Sequence, residues 1–108
     1  MGLFTRAPTV DAPSVAERLK GRSTVVIDVR QPREWRSGHI RGSLNLPLAH
    51  LAERQHRLPK DKAIVVVCAS GHRSAAAARM LRRAGFEVEN LKGGMRSWAR
   101  AGLPVKRP

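Results

Sequence analysis

The stretch Val65-Val66-Val67-Cys68-Ala69-Ser70-Gly71-His72-Arg73-Ser74, continuing into Ala75-Ala76-Ala77-Ala78, constrains this chain more than any other. A β-branched run of this kind reads as a buried strand, and it stops at the chain's one cysteine. Alanine is the strongest helix former, so the following run reads as a helix, expected from Arg73 to Ala84 with Gly85 as its C′ residue. A thiol therefore leaves the end of a strand and sits in a short loop at a helix N-terminus.

The segments on either side repeat that alternation. Thr9-Val10 reads as a short strand and Asp11 to Lys20 as a helix, capped by Asp11 or by Ser14 with Glu17 in a capping box. Thr24 to Val29 is a continuous apolar strand, of the kind buried on both faces of a parallel sheet. Pro32 to Ser37 forms a helical turn stopped by Gly38, and Ser43 to Leu46 a short strand. Leu48, Leu51, Ala52 and Gln55 keep helical spacing as far as Leu58-Pro59. Ala63 to Val67 and Val88 to Leu91 are strands, and a last helix follows Gly93-Gly94 with Met95, Trp98 and Ala99 inward. Strands alternating with helices imply an α/β fold: a mainly parallel central sheet of about five strands with helices on both faces. Ligands of such sheets sit at the C-terminal ends of strands, often at a helix N-terminus, which is where Cys68 lies.

A chain of 108 residues is expected to be one domain with a single core. One cysteine cannot make an internal disulfide and suits a reducing compartment. Met1 to Arg6 lacks a signal-peptide core, Arg6 does not fit a myristoylation signal at Gly2, and no apolar run is long enough to span a membrane. A cytoplasmic location with no membrane partner is expected. The net charge of +13 would draw in anions, but the basic residues are scattered through every segment. Aromatic residues that could stack bases are scarce, so nucleic acid is not an expected partner. The charge reads either as a compositional bias of the surface or as serving an anionic partner.

A lone cysteine ending a strand is most often a small buried hydrophobe. The loop adds a second reading. Gly71 lets the backbone turn N–H groups inward, and those donors, the helix N-terminus and Arg73 would stabilise a thiolate. Such a thiolate is a nucleophile, and its cradle also suits an anion attached to the sulfur.

The loop Cys68-x-x-Gly71-x-Arg73-Ser74 resembles the active-site loop of single-domain rhodanese-like sulfurtransferases. Asp28-Val29-Arg30 with Glu34-Trp35, Gly38-His39-Ile40, Gly42, Asn45 and Pro47 is similar to the family's upstream signature, and Gly93-Gly94-Met95 with Trp98 to its C-terminal one. The likeness runs from about Thr9 to Val105 and departs only at Ser43, where the family often has Ala. It implies the rhodanese fold and a two-step transfer. Cys68 would take sulfane sulfur from a small anionic donor such as thiosulfate, becoming a persulfide, and pass it to a thiol or cyanide acceptor. The outer sulfur would lie among the N–H groups of Ala69, Ser70, Gly71, His72, Arg73 and Ser74, and no metal or organic cofactor is implied. Related phosphatases place five residues between cysteine and arginine. Four intervene here, a tighter ring sized for one sulfur atom, which disfavours phosphatase and arsenate-reductase chemistry.

The supporting residues carry alternatives. Arg73 would orient an anionic donor or be tied to a carboxylate, for which Asp28 is the expected partner. Asp28 itself reads as structural, held by Arg73 or by loop N–H groups. Arg30 and Glu34 are expected to pair with each other along the wall of the site. His72 would favour thiolate or donor, or face solvent, and His39 reads as a loop anchor. Trp35 and Trp98 read as core, and His50 and His56 as lying on the polar side of a helix. A different class of function uses the same thiol: a persulfide carrier or docking module for an acceptor protein, with delivery to an RNA-modifying partner as a variant.

Overall fold

The computed structural model describes residues 6–108; Met1 to Thr5, read above as lacking a signal-peptide core, lie outside the described residues. In chain order the elements are β1 (Thr9–Val10), α1 (Ala12–Arg18), β2 (Thr24–Asp28), α2 (Pro32–Arg36), β3 (Leu44–Asn45), α3 (Leu48–Arg54), β4 (Ala63–Val67), α4 (His72–Arg83), β5 (Val88–Leu91) and α5 (Gly94–Arg100), with a 3-10 turn at Gln55–Arg57 after α3. The five strands form one sheet in the order β1-β5-β4-β2-β3, and every pairing is parallel.

Strand alternation decides which side chains meet which helices. Ile64 and Val66 of β4, and Cys68 just beyond it, enter a core with Leu51 of α3 and Ala77, Ala78 and Leu81 of α4. Val65 and Val67 enter the opposite core, with Ala12 and Val15 of α1 and Trp98 of α5. The sheet is thus covered on both faces, and the thiol continues the face that α4 packs against.

Most helix limits follow local chemistry. Asp11 caps α1 by accepting from the Ser14 N–H at 2.9 Å, so Ser14 lies inside the helix and the Ser14–Glu17 capping box does not form. Gln31 and Glu34 form a reciprocal box at the start of α2, the Gln31 N–H donating to Glu34 Oε1 at 3.0 Å. Ala99, expected inward, is exposed. Trp98, expected inward with it, is buried, and its indole N–H donates to Pro104 O at 2.9 Å.

The topology opens a crevice between the carboxyl ends of β2 and β4. The chain leaves β2 towards β3 on one side and leaves β4 towards β5 on the other, so the two departing loops diverge. Asp28 and Val67 are paired in register, and the Val29 N–H donates to Val67 O at 3.0 Å. Cys68 is the next residue.

Candidate active site

Cys68 Sγ is enclosed by its own loop. It accepts from the Gly71 N–H at 3.1 Å and the Ser74 N–H at 3.4 Å, and lies 3.3 Å from the Ser74 hydroxyl. Gly71 makes this possible through its left-handed backbone, φ +100°, immediately before α4. Burial pushes the Cys68 thiol up, but the Ser74 hydroxyl and the amides of Ser74, Ser70 and Gly71 outweigh it, and the thiol lies below its ordinary value. At rest the cysteine is fully buried.

Helix α5 holds the other side of the loop. The Met95 N–H donates to Cys68 O at 2.8 Å and the Arg96 N–H to Ala69 O at 3.1 Å. Gly94 allows that approach, because a Cβ there would lie 2.3 Å from Cys68 O. The Gly93-Gly94-Met95 motif is therefore part of the loop's mould.

Of the loop's remaining residues, Ser70 and His72 are exposed, His72 being the first residue of α4. Arg73 is half-buried, and its guanidinium makes two hydrogen bonds to Glu34, Nη1–Oε1 at 2.7 Å and Nη2–Oε2 at 2.9 Å. The expected pairing of Arg73 with Asp28 is thus replaced. The reason is reach: Asp28 is already taken by Arg30, two residues along the same strand exit. Arg30 donates to both Asp28 oxygens from Nε, and from Nη2 to Oδ2 at 2.7 Å, while its backbone N–H donates to Oδ1 at 3.0 Å. The expected Arg30–Glu34 pair does not form either. Arg30 precedes α2, so the two residues do not share a helical face, and its Nη2 donates also to Gly38 O at 2.8 Å.

Asp28 is therefore a buried carboxylate satisfied by its neighbour, and the four charges form two crossed pairs along the crevice wall. Glu34 is pulled down to about 2, first by its hydrogen bonds with Arg73, against burial, and further by the Gln31 N–H. The same bonds raise Arg73. Asn45 ties the wall together by donating to Asp28 O and Arg30 O at 3.1 and 2.9 Å. His39 is an anchor, stacked on Trp35 with ring centroids 3.6 Å apart and its Nδ1 2.8 Å from Trp35 O. Ser43 accepts from the Trp35 indole N–H at 3.0 Å.

Asn90 of β5 went unnoticed in the sequence. It is buried, with Oδ1 2.6 Å from Ser74 Oγ and Nδ2 donating to Gly71 O at 3.2 Å. Only the β4–β5 register, which pairs Val66 with Asn90, turns an asparagine in an otherwise unremarkable strand towards the thiol loop.

A family model for the rhodanese-like domain matches residues 11–101. The chain belongs to the rhodanese-like domain family. Rhodanese-like relatives span nearly its full length: a sulfurtransferase of Allochromatium vinosum is 39% identical over 92% of this chain and 94% of the relative. A thiosulfate sulfurtransferase of Stutzerimonas stutzeri is 34% identical over 88% of this chain and 84% of its own. The crystal structure of a rhodanese-related protein from Thermoplasma volcanium superposes with a TM-score of 0.87 at 37% identity, covering 92% of this chain and 97% of that one. The five-stranded rhodanese fold expected from the sequence is thus the observed one. Other curated relatives are longer, and the chain spans 62%, 44% and 60% of three of them. No helix among the described residues is long and apolar enough to cross a membrane.

Proposed function

We propose that this rhodanese-like domain is a sulfurtransferase that carries sulfane sulfur on Cys68. The observation that supports it most directly is the sulfur's setting, with Sγ at the carboxyl end of the central strand accepting from the Gly71 and Ser74 N–H groups. A thiolate held this way attacks the outer sulfur of an anionic donor. Its lone pair forms the new S–S bond, and the old bond breaks with its electrons on the leaving group. With thiosulfate, the name of whose transferase one relative bears, the products are a Cys68 persulfide anion and sulfite. A thiolate or cyanide acceptor then attacks the outer sulfur, and Cys68 leaves as thiolate. Total charge is conserved in both steps.

In this reading Cys68 is the nucleophile and the N–H groups of residues 69–74 receive the outer sulfur. Arg73 balances negative charge at the crevice, and Asp28, Arg30 and Glu34 hold its wall. The partners are a small anionic donor and a thiol or cyanide acceptor, in the cytoplasm. The test is intact mass after incubation with thiosulfate: the reduced protein gains about 32 Da, one sulfur atom, on the peptide containing Cys68. A folded Cys68→Ser variant gains nothing. If wild type with a free thiol takes up no sulfur from thiosulfate or from any other donor in a panel, the reading fails.

The full burial of Cys68 supports a second reading, in which a partner protein opens the loop and hands over its own persulfide. Slow loading by thiosulfate with fast loading by a persulfidated protein distinguishes it.

A further inference from the structure

Ser74 has one hydroxyl proton and two neighbours that want it. Its Oγ lies 2.6 Å from Asn90 Oδ1 and 3.3 Å from Cys68 Sγ, and all three residues are buried. The Asn90 amide is oriented by its Nδ2 donating to Gly71 O, so the atom facing Ser74 is a carbonyl oxygen, which can only accept. The short contact with Oδ1 therefore requires the Ser74 proton. While that bond stands, Ser74 presents only lone pairs to the sulfur.

We propose that Asn90 is a positioning residue for the sulfur chemistry, drawing the Ser74 hydroxyl proton away from Cys68 Sγ and yielding it only while that sulfur is negatively charged. A neutral thiol or a persulfide's inner sulfur is a poor acceptor, and Ser74 then donates to Asn90. A thiolate competes for the proton and takes it by rotation about the Ser74 Cβ–Oγ bond, giving up the bond to Asn90. No proton changes atoms in this switch. Its effect is to leave the thiolate less stabilised than the N–H cradle together with an uncontested Ser74 hydroxyl would leave it. When Cys68 forms the new S–S bond and its charge moves to the outer sulfur, the Ser74–Asn90 bond is restored, which favours the loaded state. This deepens, and rests on, the persulfide reading of Cys68.

The decisive experiment is a double-mutant cycle of Asn90→Leu and Ser74→Ala, read by thiolate ultraviolet absorbance against pH, which needs no sulfur transfer. Leucine removes the competing acceptor, and Gly71 O keeps a partner in the Ala75 N–H at 3.2 Å. The surrounding charges are common to all four proteins: Arg73 and His72 on α4, Glu34 on α2, Asp28 with Arg30 beyond β2, Glu89 of β5 paired with Arg18, and exposed Arg96 on α5. With Asn90 replaced, the Cys68 titration midpoint falls by roughly one unit, the size of one hydrogen bond to a charged group. Ser74→Ala raises the midpoint in wild type by less than in the Asn90→Leu background, where the rise is about that same unit. An equal Ser74→Ala shift in both backgrounds overturns the proposal. Should the leucine variant fail to fold by circular dichroism, the same cycle with Asn90→Ala decides. Sulfur uptake by wild type is measured separately, so failure of the persulfide reading and failure of the proton switch are told apart.

Discussion

Glu34 and Arg73 lie thirty-nine residues apart in sequence and meet in a two-pronged ion pair across the mouth of the crevice, one from α2 and one from α4. Each side chain is about a third exposed, 35% and 37%, so solvent screens the pair and its contribution is modest, about 0.2–1 kcal/mol. Its pH signature is sharper. Glu34 lies near 2 in the folded protein against an ordinary 4.5, so its stabilising effect is complete above the ordinary value and is lost as pH falls through the folded one. Urea denaturation of Glu34→Gln is expected to show a small loss at about pH 6 that shrinks at about pH 3. A variant whose deficit stays constant with pH contradicts this account.

Asp28 and Arg30 are a different kind of pair. Their side chains are 0% and 8% exposed, so removing one leaves the other charged and dry. Asp28→Ala is expected to cost about 3–5 kcal/mol by chemical denaturation, several times the Glu34→Gln effect. A loss below about 1 kcal/mol would mean that Arg30 finds another partner.

These two pairs mark where the sequence was legible and where it was not. The strands Ala63–Val67 and Val88–Leu91 match their expected limits, the first because an uninterrupted apolar run has few other places to go. The thiol loop was equally readable, since Gly71 and the start of α4 are set by local chemistry. Charge pairing was not. Asp28, Arg30, Glu34 and Arg73 can be matched in several ways, and the choice depends on where the β2 exit turns before α2, a tertiary fact. Asn90 escaped for the same reason: its side chain becomes functional only through strand register.

Gly94 and Gly42 both have positive φ, +59° and +83°, yet their surroundings differ. A Cβ on Gly42 meets nothing within 4 Å, so Gly42→Ala should cost only the left-handed backbone penalty, about 1–2 kcal/mol. A Cβ on Gly94 meets Cys68 O at 2.3 Å and Ala69 C at 2.7 Å, backbone atoms that cannot swing aside. Gly94→Ala is expected to cost about 1–3 kcal/mol more than Gly42→Ala and to slow sulfur uptake by displacing the thiol loop. Equal losses in the two variants would show that α5 does not mould that loop.

Ser43 gives the half-buried Trp35 indole its acceptor, which alanine, the residue common in the family at this point, would not. Ser43→Ala should lower stability by about 0.5–1.5 kcal/mol and leave sulfur uptake unchanged. Reduced uptake in a variant of normal stability would place Ser43 in the chemistry rather than in the wall.

The two members of the crevice ion pair should move the thiol in opposite directions. Arg73 interacts electrostatically with Cys68, and Glu34 partly neutralises it. Wild-type Cys68 already titrates below its ordinary 9.0, so alkylation by iodoacetamide should rise with pH to a midpoint under that value. Removing the cation in Arg73→Met also leaves the Glu34 carboxylate unbalanced, and the midpoint should rise by roughly half to one unit. Removing the carboxylate charge in Glu34→Gln leaves the guanidinium uncompensated, and the midpoint should fall by a few tenths of a unit, ~0.3. Added salt should reduce both shifts, because the pair is partly solvent-exposed. Coincident midpoints in all three proteins would mean that the N–H cradle alone, and not the charge across the crevice, sets the thiolate.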